Sequence, residues 1–130
     1  MPKKSWLAPH IASPARRDIA AILKHSSRTF GEAASRRYEA LILQAVVDLV
    51  TDPERPGSKE HADFMMPGVR TYHLDFSRTR MPGPRVKEPR HFLVYRIRDD
   101  RVVEVARILH DSRDLERHVP EPYRLPSTDE

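Results

Sequence analysis

The stretch HFLVYRIRDDRVVEVARIL, residues 91–109, decides the fold. Two runs rich in β-branched and aromatic residues flank a short charged segment, which is the pattern of an antiparallel hairpin. With Asp99 and Asp100 as the turn, Val94 faces Val105, Phe92 faces Arg107 and Tyr95 faces Glu104. One extra loop residue would change each pairing. Leu93, Tyr95, Ile97, Ala106 and Ile108 occupy one set of positions, and Phe92, Val94, Val103, Val105 and Leu109 the other. Both faces of the hairpin are apolar, so both must be covered. One helical hairpin covers one face; the other needs a terminal segment or another polypeptide.

Upstream, the period changes. VRTYHLDF, residues 69–76, alternates Tyr72, Leu74 and Phe76 with Thr71, His73 and Asp75, which predicts a third, half-buried strand. Ser13 followed by Pro14 is a helix start, and Ile19, Ile22 and Leu23 form an apolar stripe with Arg16, Arg17, Asp18 and Lys24 off it. Thr29 and Glu32 make a capping-box pattern that opens a second helix, striped by Tyr38, Leu41, Ala45 and Leu49 and ended by Asp52 and Pro53. The link from Lys24 to Thr29 then makes an antiparallel helical hairpin. A weak strand is expected at Ser5–Ile11, and loops at 53–68 and 77–89, both rich in proline. A short helix capped by Asp111 or Ser112 follows, carrying Leu115 and Val119. The order is β-α-α-β-β-β with a short terminal helix, an α+β fold in which the helical hairpin packs on a small, mainly antiparallel sheet. Residues 1–120 form the one domain, and 121–130 a flexible tail.

A chain of 130 residues holds one core. It has no cysteine, which excludes disulfides, thiolate nucleophiles and Cys-based metal sites. No apolar run reaches the roughly 18 residues of a membrane span, and residues 1–18 lack a signal-peptide core, so a cytoplasmic protein is expected. The net charge is +4, and residues 77–101 hold eight arginines and lysines against three carboxylates. That surplus fits a polyanionic or acidic partner, or a solvated edge that deters sheet aggregation.

Seven histidines show no zinc-binding spacing, and only four glycines leave no phosphate loop, so no metal and no cofactor is expected. His73 and His91 fall on strands. His110 ends the last strand, three residues after Arg107, where an imidazole can move a proton while the guanidinium neutralises a phosphate oxygen. The plainer reading is a helix-start histidine bonded to local backbone.

FGEAASRRYEALI (30–42), GVRTYHLDFSR (68–78) and PRHFLVYRIRDDRVVEVARILHDSRDLERHVP (89–120) together resemble the RelE/ParE toxins of type II toxin–antitoxin modules, closest to the ParE branch. The most specific part is the strand running into Arg107-Ile108-Leu109-His110 and then Asp111-Ser112-Arg113. The resemblance implies a toxin held in a hetero-oligomer by a cognate, ParD-like antitoxin, which would lie on Phe92, Val94, Tyr95, Val105 and Leu109. A ParE-like toxin inhibits DNA gyrase and is not an enzyme; Arg78, Arg80, Arg107, His110 and Arg113 would meet the target. A RelE-like toxin cleaves mRNA on the ribosome, and Arg107, His110, Arg78 and Tyr95 would then be its catalytic groups. The basic strand cluster typical of RelE is missing from VRTYHLDF, which favours gyrase. An inactive antitoxin-binding module is the third alternative.

Overall fold

In a computed structural model, which describes residues 7–126, a five-stranded mixed sheet has the order β1-β5-β4-β3-β2. The strands are β1 (Ala8–Ile11), β2 (Ser58–Glu60), β3 (Val69–His73), β4 (His91–Ile97) and β5 (Val102–His110). β1 runs parallel to β5 and the other pairs are antiparallel. The N-terminal strand is therefore real at 8–11; Ser5 and Trp6 lie outside the described residues.

The helices α1 (Ser13–Phe30) and α2 (Glu32–Thr51) pack together and against the sheet. The expected link at Lys24–Thr29 is helical instead, and Gly31 alone makes the corner. Its φ of 96° lies where an L side chain is strained, so a glycine is what permits so sharp a reversal. Thr29 is part of α1, and Glu32 accepts from Ser27 Oγ across the corner at 2.9 Å rather than completing a capping box.

The strand expected over 69–76 stops at His73, and Leu74–Arg80 form a 3-10 helix. His73 causes the change: its Nδ1 accepts from the Asp75 backbone N–H at 3.0 Å, which tightens the chain into a turn. Leu74 is buried as the alternation predicts, but Phe76 is exposed.

The hairpin between β4 and β5 is present with a different register. Asp99, Asp100 and Arg101 form a three-residue loop, with Arg98 N–H bonded to the Val102 carbonyl and Arg101 at φ 65°. Tyr95 therefore faces Val105, Arg96 faces Glu104 and Ile97 faces Val103. A bulge follows, in which Ala106 is the extra residue, so that Val94 faces Arg107 and Phe92 faces Leu109. Its effect on the two faces is large. Val103 and Val105 join Leu93, Tyr95 and Ile108 under the helices, with Leu41, Ile42, Ala45 and Leu49. Val94, Ala106 and Leu109 point the other way.

The second face is covered by the chain itself. Met65, from the segment after β2, joins Val119 and Tyr123 over Val94, Ala106 and Leu109, with Phe64 and Leu115 at the margin. Tyr123 Oη donates to Glu104 Oε1 at 2.6 Å, and the Leu125 N–H bonds the Phe64 carbonyl. Within the expected tail, Tyr123 supplies an apolar ring that the sheet buries, while Glu121, Pro122, Leu125 and Pro126 are exposed; 127–130 lie outside the described residues. The short helix α3 (Leu115–His118) begins after Asp114, with no side-chain cap from Asp111 or Ser112.

Candidate functional site

Three adjacent strands end in histidine at one end of the sheet. His91 and His110 face each other across β4 and β5, and His73 closes β3 one register step away, opposite Phe92. The His91 and His110 rings meet edge to face at 5.1 Å. α2 brings Tyr38 to the same place, and the ends of the flanking loops bring Arg90 and Asp111.

The hydrogen bonds fix the protons. The Arg90 backbone N–H donates to Tyr38 Oη at 3.0 Å, so the phenol donates its own proton to His91 Nδ1 at 2.6 Å. Neutral His91 therefore carries its proton on Nε2. Burial, helped by the neighbouring His110, lowers His91 to about 4. Burial likewise pushes Tyr38 up to about 12. Because His73 Nδ1 accepts from Asp75, its Nε2 carries the proton and donates to Asp111 Oδ2 at 3.0 Å. Arg90 grips the same carboxylate with Nη2 at 2.8 Å and Nε at 3.1 Å. That fork holds Asp111 down to about 2, with His73 adding to it. His110 is the half-exposed member, and its Nδ1 accepts from the Ser112 N–H at 3.1 Å.

A surface groove opens beside this cluster, lined by His73, Asp75, Phe76, Lys87, Arg90 and Asp111. The cluster beside it holds proton-transfer groups, with His91 buried and neutral and His110 half-exposed. Its arginine is already neutralised by a carboxylate, so an incoming phosphate has to compete with Asp111 for Arg90. Among the described residues no cluster of ligating side chains could hold a metal ion.

The residues singled out in the sequence are scattered by comparison. Arg107 is clamped by Asp18 of α1, Nε at 2.7 Å and Nη2 at 3.0 Å, which raises its pKa and leaves it half-buried. Arg78 bonds Asp75 at 3.1 Å, Arg80 bonds the buried Asp48 at 2.8 Å, and Arg113 donates to His118 Nε2 at 3.1 Å. Tyr95 is fully buried, its hydroxyl donating to the Pro53 carbonyl and receiving from Ser58. His110 alone of the proposed nuclease groups belongs to the cluster.

The five residues expected to receive an antitoxin are covered by the chain itself. Tyr95 and Val105 lie under the helical hairpin, and Val94 and Leu109 lie under the 115–125 segment. Phe92 packs at the edge of the same second core. Four of the five are core and Phe92 is half-buried at the margin, because the chain supplies its own cover for both faces. The sequence reading places Tyr38 on a helix stripe, His91 on a strand and Asp111 at a helix start, and assigns none of them, nor Arg90, to a site. The available signal was that Tyr72-His73, Arg90-His91 and Leu109-His110 each place a histidine at a strand terminus.

A helical hairpin laid on a five-stranded sheet, with the last long strand feeding a histidine into a polar corner, defines a small α+β toxin architecture. The chain belongs to the ParE toxins of type II toxin–antitoxin systems, parDE, whose family model matches residues 10–115. No curated protein matches it. Among solved structures it is similar to the chromosomal ParDE toxin–antitoxin system from P. aeruginosa, at 17% identity and a TM-score of 0.61, over 82% of this chain and 98% of that one. It is similar also to the toxin–antitoxin complex RelBE2 from Mycobacterium tuberculosis, at 20% identity and a TM-score of 0.50, over 83% of this chain and 94% of that one. These two likenesses are likenesses of fold.

Proposed function

We propose that this toxin arrests growth by inhibiting DNA gyrase in the cytoplasm, without catalysing a reaction of its own, and that a ParD-like antitoxin neutralises it. The observation that carries the reading is the state of Arg107 and Tyr95. An mRNA endoribonuclease needs free cations at the scissile phosphate. Arg107 is instead spent on Asp18, and the Tyr95 hydroxyl is spent on the Pro53 carbonyl. Membership of the ParE branch supports the same target. The assembly of both structural relatives with antitoxins supports a protein partner. An antitoxin that used the second sheet face would have to displace residues 115–125, and hydrogen exchange in that segment on complex formation reports whether it does.

The test is controlled expression in a gyrase-sensitive host together with cleavage assays on purified gyrase. Growth arrest, SOS induction and accumulation of gyrase-linked DNA breaks are expected. Translation arrest with an intact chromosome overturns the reading.

A second reading is favoured by one feature, the solvent-facing His110 beside a neutral His91. If the chain is a ribosome-dependent ribonuclease, His110→Ala abolishes mRNA cleavage in a translating extract. Absence of cleavage with the unaltered chain ends that reading.

A further inference from the structure

The sequence concentrates its positive charge in residues 77–101, but the fold neutralises most of it. Arg78, Arg80, Arg90, Arg96 and Arg98 each hold a carboxylate, on Asp75, Asp48, Asp111, Glu104 and Asp100 respectively. Arg85, Lys87 and Arg101 of that segment stay unmatched among the described residues, and a second unmatched set is aligned on the outer face of α1. Arg17, Lys24 and Arg28 are all exposed there, spaced seven and four residues apart, with exposed Ala20 and Ala21 between the first two. At 3.6 residues per turn they fall within a strip about 40° wide and about 16 Å long. The one carboxylate of the helix, Asp18, is turned inward and consumed by Arg107. Among the described residues none of the three cations is in an ion pair, and the helix has no acidic residue in its first turn.

We infer that this strip of α1 binds the phosphate backbone of duplex DNA. Its chemistry selects a phosphate polyanion over an acidic protein segment. A protein partner is held chiefly by aromatic or aliphatic anchors in pockets, and the strip offers only alanine methyls. Backbone phosphates need no such anchor, because release of their condensed counterions supplies the affinity. The small alanines let the backbone come close to the helix. The inference adds DNA itself to the surfaces the toxin recognises, and it stands whether or not gyrase is the target.

The test titrates the purified full-length chain into a fluorescent duplex of about 20 base pairs and arbitrary sequence, at roughly 50 to 200 mM NaCl. Three phosphate contacts give a slope of log affinity against log salt of about −3. The triple variant R17Q/K24Q/R28Q should lose affinity at least tenfold at low salt and flatten the slope, with unchanged helical circular dichroism, since all three side chains are in solvent. A control triple, R85Q/K87Q/R101Q, removes the same charge elsewhere and should bind nearly as well as the parent chain. Absence of salt-dependent binding, or equal loss in the two triples, overturns the inference. So does polyglutamate competing as strongly as the duplex, which would make the strip an acidic-protein surface. Supercoiling inhibition measured on the same variants separates the two proposals: DNA binding lost with gyrase inhibition kept leaves the target reading intact, and the reverse leaves this one.

Discussion

Asp18 receives both the Nε and Nη2 protons of Arg107 and, in addition, the backbone N–H of Ile108. One carboxylate thereby ties α1 to the last strand at three points. Asp18→Asn removes the charge that balances a half-buried guanidinium and is expected to cost about 2 kcal/mol, read as a lower midpoint in urea unfolding. In the sequence Asp18 is legible only as a polar residue off the apolar stripe, since nothing local points to a partner 89 residues away. His91 gives the pH dependence. Its folded value is about 4 against 6.5 in the unfolded chain, so between those values the unfolded state binds more protons and stability falls as pH falls. The loss, discounted for partial solvent screening, is about 2 kcal/mol on going from about pH 7 to about pH 4. His91→Asn should flatten the stability profile in that window while leaving the acid limb below it, where Asp111 takes up its proton at about 2.

Turns were the least legible elements, and two of them carry measurable strain or freedom. Arg101 sits at φ 65° in the position of the β4–β5 loop that glycine usually fills, so Arg101→Gly is expected to stabilise the protein by about 1 kcal/mol, seen as a higher thermal midpoint. Gly31 presents the converse case. A Cβ there would meet nothing within 4 Å, so any cost of Gly31→Ala is backbone strain alone, about 1–3 kcal/mol by the same unfolding measurement. The stripes of α1 and α2 and the apolar runs of β4 and β5 could be read because burial repeats with the period of the element. The third loop residue, the Ala106 bulge and the turn after His73 could not, because each depends on one backbone conformation that leaves no periodic trace. A register error of one residue was enough to assign Val103 and Val105 to the wrong face of the sheet.

Across the whole molecule, of the two covers expected for the second face, a terminal segment or another polypeptide, the terminal segment is the one in place. Both faces of the terminal hairpin do need cover, and residues 64–65 and 115–125 provide it on the second face. Pro120-Glu121-Pro122-Tyr123 looks like a loose tail because one aromatic among prolines has no period, yet Tyr123 is 3% exposed. Tyr123→Ala should cost about 3–4 kcal/mol and uncover Val94 and Leu109, detected as dye binding to newly exposed apolar surface. Tyr123→Phe keeps the ring, loses only the bond to Glu104, and is expected to cost about 1 kcal/mol. The polar corner was visible as separate histidines but not as a cluster, since β3, β4, β5 and α2 meet there only after folding. Meanwhile β1 pairs with β5, Ala8 beside Val102. A chain leaving the ribosome must therefore hold its first strand waiting until β5 has been made. Chains cut short before Val102 lack the strand that joins β1 to the rest of the sheet.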